Sequence, residues 1–151
     1  MSDEVQLCTF LLAGHLFGVD VNHVHEVLLH QPMAPVPLAH PVVRGLINLR
    51  GKVVTALDLR RRLELPERPA GLPPMNVVVG TADGPVSLLV DEIGDILTAP
   101  AGAFERPPGT LGGPAGELVH GVYKLDGRLL LVLDTTRAVT LPTHGPNEEP
   151  H

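Results

Sequence analysis

The chain reads as all-β: two small barrels of about five strands each, generated by an internal duplication, with short helical turns. Three observations predict this. Gly and Pro number 16 each among 151 residues, which cuts the chain into short segments and leaves little room for long helices. Apolar residues alternate with polar ones over several segments, the period of a half-buried strand. The second half of the chain also repeats the first.

Residues 17–28 set over 86–97, an offset of 69 (86 − 17), match apolar to apolar at Phe17/Val86, Val19/Leu88, Val21/Val90, Val24/Ile93, Val27/Ile96 and Leu28/Leu97. Residues 45–61 set over 121–137, an offset of 76 (121 − 45), are identical at Gly45/Gly121, Leu49/Leu125, Gly51/Gly127, Leu57/Leu133, Asp58/Asp134 and Arg61/Arg137. The difference of 7 between the offsets (76 − 69) is absorbed by a Gly/Pro-rich loop over 99–116 in the second copy.

Each copy then yields the same elements in order. A strand (7–12; 76–80) meets a glycine-containing turn and an alternating strand (16–21; 85–90). A third segment (24–29; 93–97) follows, opened by a helical turn. After a loop comes a hairpin (46–49 with 52–57; 119–125 with 128–133) closed by two residues. Five such strands are enough to curl into a small barrel. Asp58 and Asp134 each stand before a helix-compatible segment and read as N-caps, and Gly51 and Gly127 read as turn residues.

The domain is placed at 5–139, with the first barrel copy at about 5–65, a proline-stiffened linker at 66–74 and the second copy at about 75–139. Residues 140–151 lack apolar periodicity and are expected to form a disordered tail.

Composition removes several function classes. Aromatic residues make up only 3% and Trp is absent, so the core must be aliphatic. A formal net charge of −6 gives no support to a nucleic-acid surface beyond the local run Arg60-Arg61-Arg62. Cys8, the single cysteine, lies in an apolar run and reads as a buried, inert thiol. No apolar stretch approaches the ~20 residues that span a bilayer, so a cytoplasmic protein without direct membrane insertion is expected.

Eight histidines raise the question of a metalloenzyme, with His23 and His25 on one strand face near His15, His30, His40 and Glu26. No His-Glu-x-x-His motif, cysteine pair or second ligand set at defined spacing accompanies them. No nucleophile elbow or phosphate-cradling loop occurs, and Gly112-Gly113 falls in a Pro-rich connection. No catalytic residue, metal or cofactor is therefore assigned, and a binding role is favoured.

The two hairpin turns point to a residue for that role. The second copy uses Asp126-Gly127, a pair suited to the positive φ angles of a type I′ hairpin. The first keeps the glycine but puts Arg50 where Asp126 would stand. Arginine gains nothing in such a turn. It supplies a rigid fork of donors for a carboxylate or for carbonyl groups of a partner, and Glu26 is the nearest chemical candidate within the chain.

The residues Phe17-x-Val19-x-Val21-x-x-Val24-x-Glu26-Val27, then Val36-Pro37, then Val43-Arg44-Gly45-Leu46-Ile47-Asn48-Leu49-Arg50-Gly51 through Asp58, resemble the CheW-like family; Val90-Asp91, Ile93 and Gly121 fit it too. The resemblance covers roughly residues 5–139. It implies two five-stranded SH3-like barrels and a non-enzymatic adaptor that couples the regulatory domain of a CheA-like histidine kinase to the cytoplasmic tips of chemoreceptors, in membrane-associated arrays. It also implies a receptor-binding groove at Val24, Glu26, Val27, Gly45, Asn48 and Arg50, and a kinase contact around Gly121. Type IV pilus and developmental pathways use the same module, and the residues leave that choice open.

Overall fold

The computed structural model describes residues 3–109 and 112–141. It contains the strands β1 (Glu4–Leu12), β2 (His15–Asp20), β3 (Val24–Leu28), β4 (Val43–Leu49) and β5 (Lys52–Asp58), then the helix α1 (Leu59–Arg62). The same series follows as β6 (Met75–Thr81), β7 (Gly84–Val90), β8 (Glu92–Pro100), α2 (Gly113–Leu118), β9 (Val119–Leu125), β10 (Arg128–Leu133) and α3 (Thr135–Val139). A 3-10 turn at Val21–His23 opens β3, as expected.

The strands form two five-stranded sheets, ordered β8-β1-β2-β10-β9 and β3-β6-β7-β5-β4. This corrects the expectation that each copy builds its own barrel from about 5–65 and 75–139. The copies exchange strands: β1 and β2 are completed by β8, β9 and β10, while β6 and β7 are completed by β3, β4 and β5. The connectors supply the reason. Only Asp91 separates β7 from β8, and one residue cannot form even the shortest hairpin reversal, so the chain runs on into the other sheet. The 3-10 turn after β2 does the same for β3.

The exchange is symmetric because both copies present the same pairing surfaces. Phe17 of β2 lies opposite Leu131 of β10 in a parallel pair, and Val86 of β7 lies opposite Thr55 of β5. These are the same pairing shifted by the two offsets (17 + 69 = 86; 131 − 76 = 55). Even the irregularities recur: β1 and β8 slip register between Cys8 and Phe10, and β3 and β6 slip between Val24 and Glu26.

The main core lies between the sheets, with Phe10, Leu12 and Val19 of one against Val77, Leu88 and Val90 of the other. Phe10 and Phe17 stack at 6.1 Å between ring centroids. Cys8 is buried in this core and burial pushes its thiol pKa up, in keeping with an inert side chain.

The helical turns are capped as their sequences require. The buried Asp58 carboxylate accepts from the Arg60 N–H at 3.0 Å, and Asp134 accepts from the Arg137 N–H at 3.1 Å. The three arginines of α1 all bind within the chain. Arg62 donates to the Ala138, Arg137 and Thr140 carbonyls, tying α1 to the end of α3. Arg61 holds Glu67 and the Pro41 carbonyl. Arg60 holds Asp91 through a fork of 2.9 and 2.5 Å and donates to the Pro66 and Glu67 carbonyls.

The expected disordered tail needs adjustment at its start, since the Thr140 N–H donates to Thr136 and Leu141 packs on the core. From Pro142 onward it lies outside the described residues. The loop foreseen over 99–116 is also shorter: β8 runs to Pro100, and Gly113-Pro114 opens α2 rather than a plain connection. No helix is long and apolar enough to cross a membrane among the described residues.

Candidate functional site

The β4–β5 hairpin pairs Leu49 with Lys52, leaving Arg50 and Gly51 as its two turn residues. Both take left-handed backbone angles, φ 52° at Arg50 and 85° at Gly51, the sense a type I′ turn demands. Asn48 secures the turn from below, its Oδ1 accepting the Gly51 N–H at 2.9 Å. In the second hairpin Gly127 has φ 79°, but Asp126 is not among the residues with positive φ. The positive φ expected of both turns is thus met at Arg50, a bulky residue for that region, while Asp126 does not take it.

From this tip Arg50 forks onto Glu26 of β3, with Nη1 donating to Oε2 at 2.5 Å and Nη2 to Oε1 at 2.8 Å. The hydrogen bonds from Arg50 hold the Glu26 carboxyl below the usual carboxylate range, against a smaller effect of desolvation. The arginine side chain remains 73% exposed, so its outer donors face solvent while the carboxylate fixes its direction. His25, Leu49, Lys52, Val78 and Pro85 complete a cleft of about 270 Å³ around the pair.

The structure brings some of the other expected groove residues here and separates others. Val24 is half-buried and packs on the main core, whereas Val27 is 43% exposed. The register slip between Val24 and Glu26 sets Val24 opposite Val79 and Val27 opposite Val77. Gly45 is buried: an added Cβ would lie 2.6 Å from the Ala34 carbonyl oxygen, where residue 34 bridges to β4. Gly121 is its counterpart, buried beneath the Phe104 ring, which an added Cβ would meet at 2.0 Å. Both glycines thus have packing reasons inside the chain. On the opposite face of β5 from Val54, which lines the cleft, Val53 is 69% exposed and paired across the hairpin with Asn48.

Among the described residues the histidines do not assemble into a cluster. His23 lies in the 3-10 turn rather than on a strand with His25, and the His25 ring lies over Gly80. No group of three His, Cys, Asp or Glu side chains is placed to hold a metal ion among the described residues.

Residues 6–141 match the model of the CheW-like domain. The chemotaxis protein CheW of Treponema pallidum is 29% identical over 138 residues, covering 87% of this chain and 80% of that protein. The chemotaxis protein CheW of Bacillus subtilis is 29% identical over 129 residues, covering 85% and 83%. Among solved structures, the scaffolding protein TtCheW from Thermoanaerobacter tengcongensis superposes with a TM-score of 0.81 at 25% identity, covering 93% of this chain and 94% of that one. With the family model matching residues 6–141, the chain belongs to the CheW-like domain family.

Proposed function

We propose that this chain is a non-enzymatic adaptor of a chemosensory system, coupling a CheA-like histidine kinase to the cytoplasmic tips of chemoreceptors, and that it works in the cytoplasm at membrane-associated arrays. The observation that carries this reading is Arg50. It sits in a left-handed turn position that its counterpart in the second copy does not take, and it is 73% exposed with its direction set by Glu26. A fold-only role explains neither the residue type nor the exposure.

In this proposal Arg50, Glu26 and Asn48 supply the polar recognition of a receptor helix, and Val27 with Val53 supplies the exposed aliphatic contact. Val24 and Gly45 enter indirectly, by seating β3 and β4. Gly121 enters the kinase contact in the same way, through the Phe104 ring it carries.

The test is reconstitution of kinase, receptor and adaptor with Arg50→Ala. The expected result is loss of receptor-dependent assembly with the thermal midpoint nearly unchanged. Full assembly by that variant would remove Arg50 from the interface, and failure of the wild-type chain to bind either protein at micromolar concentrations would overturn the adaptor reading.

A further inference from the structure

The cleft around the Glu26–Arg50 pair holds more positive charge than that pair needs. Arg50 donates one N–H from each Nη to Glu26, so its Nε–H and the outer hydrogen on each Nη remain available to a partner. Lys52, two residues on, lines the same cleft. Of the chain's two lysines, Lys124 meets the Glu105 carboxylate at 3.4 Å, whereas Lys52 is exposed and has no ion pair among the described residues. Two cations therefore share one carboxylate. With His25 neutral, the cleft carries an excess of one positive charge in a chain whose formal net charge is −6.

The duplication shows that the fold does not ask for this excess. Shifted by the two offsets, Glu26, Arg50 and Lys52 correspond to Asp95, Asp126 and Arg128 (26 + 69; 50 + 76; 52 + 76), so the same three places in the second copy carry two acids and one base. The backbone around them is shared, since β3 and β8 slip register against their neighbours at matching points. The sign of the charge at this hairpin end differs between the copies while the strands do not. Its choice in the first copy belongs to what the cleft meets.

The lining narrows the kind of anion. Val54 and Val78 are fully buried and Leu49 and Pro85 half-buried, so aliphatic groups form the floor while the exposed Arg50 and Lys52 stand at the rim. A volume of about 270 Å³ falls below the ~300–1,000 Å³ of sites that take whole small molecules. A single side chain suits it, with an aliphatic stem for the floor and a charge for the rim. A side-chain amide has the same shape but leaves the excess charge uncompensated, and the apolar floor strengthens the preference by keeping water from one side of the ion pair.

We propose that this cleft takes one glutamate of the partner helix, its methylenes on the aliphatic floor and its carboxylate between Lys52 and the outer edge of Arg50. The inference rests on the receptor-coupling role proposed above and makes Lys52 a second recognition residue of that contact. Glu26 sets the direction of Arg50, and Lys52 supplies the surplus charge that distinguishes a carboxylate from an amide.

The test is calorimetric titration of the cytoplasmic fragment of the receptor into the full chain at low and high salt. Wild-type affinity should fall about fivefold between about 50 and 500 mM salt. Lys52→Gln should weaken binding by about the same factor at the lower salt and flatten the salt dependence, with the thermal midpoint unchanged, and Lys52→Arg should retain wild-type behaviour. A Glu→Gln scan of the fragment should find one position whose loss does not add to that of Lys52→Gln, as contacting residues require. Salt-independent binding, wild-type affinity in Lys52→Gln, or no coupled glutamate in the fragment would each overturn this inference and leave the adaptor reading standing. Failure of the wild-type chain to bind the fragment at micromolar concentrations would overturn the adaptor reading and this inference with it.

Discussion

Asp91 is a single-residue crossover between the sheets, and its removal should unlock them. Its carboxylate accepts from Arg60 at 2.9 and 2.5 Å, from Arg68 Nε at 3.2 Å and from the Ala13 N–H at 2.8 Å. Arg68 Nη2 lies 3.1 Å away but is not aligned to donate, so that contact is Coulombic. Asp91→Ala would leave two guanidinium groups, with side chains only 10% and 8% exposed, without their counter-charge. Breaking a buried pair from one side costs about 3–5 kcal/mol. Because Asp91 retains 21% exposure, the lower end applies, about 3 kcal/mol, or a fall of roughly 6–12 °C in thermal midpoint for a protein of this size. Urea unfolding of wild type, Asp91→Ala, Arg60→Met and the double variant measures it, with the double variant recovering part of the loss. A cost under about 1 kcal/mol would refute the idea that this cluster locks the seam.

The same residue sets a pH dependence. Burial pushes the Asp91 carboxyl up, but the Arg60 hydrogen bonds, the Ala13 N–H and the charges of Arg60 and Arg68 outweigh it and hold the pKa below the ordinary value. The unfolded chain therefore binds this proton more readily. The stabilisation is full above the unfolded pKa of ~3.9 and is lost as pH falls through the lower folded value. Asp91→Asn should flatten the stability curve below about pH 4 relative to wild type. Parallel curves would place the acid sensitivity elsewhere.

The two core glycines should separate in degree. Gly45→Ala drives a methyl into the backbone carbonyl of Ala34 and should cost about 3 kcal/mol, whereas Gly121→Ala meets the end of a half-buried ring that can swing, so about 1–2 kcal/mol is expected; chemical denaturation ranks them. Gly121→Ala should also shift the Tyr123 emission, because Phe104 leans on both residues. Of the caps, Asp58→Ala should destabilise by about 1–2 kcal/mol and Asp134→Ala by less, since Asp58 is 2% exposed and Asp134 is only half-buried; equal thermal shifts would contradict this. Arg50→Asn, which tolerates the left-handed turn, should keep or raise the thermal midpoint while weakening receptor binding, and a large fall in midpoint would make Arg50 structural.

What could be read in the sequence was local. The alternation over residues 16–20 and 85–90, the caps at Asp58 and Asp134, and the turn glycines Gly51 and Gly127 each depend on neighbours a few positions away. Strand exchange was not legible, because β2 presents the same edge whether β5 or β10 lies beside it, and two copies of like pattern make the two pairings equal in pattern. The short connector at Asp91-Glu92 between the strand patterns at 85–90 and 93–97 was the available signal. The site shows the same division. Glu26 and Arg50 were paired by chemistry, but the placement of Val24 in the core followed from a register slip at β3 that no alternation count contains. The packing of Phe104 against Tyr123 and Gly121 was not legible because Phe104 sits beyond the recognisable repeat, where the loop breaks the offset.

Exchange also bears on how one chain can serve several partners at once. Had each copy closed on itself, the barrels would be joined by a proline linker and free to move, and a partner on one would convey nothing to the other. Here each sheet takes two strands from one half of the chain and three from the other, and Phe10 and Leu88 share one core. Shifting one barrel against the other would require breaking strand pairs or opening that core, both far costlier than bending a linker. The Glu26–Arg50 hairpin on one sheet and the Phe104–Tyr123 ring pair on the other are therefore joined through one shared core. In the adaptor role proposed above, that geometry would be the chain's contribution, since a regularly spaced assembly needs a connecting part that does not flex.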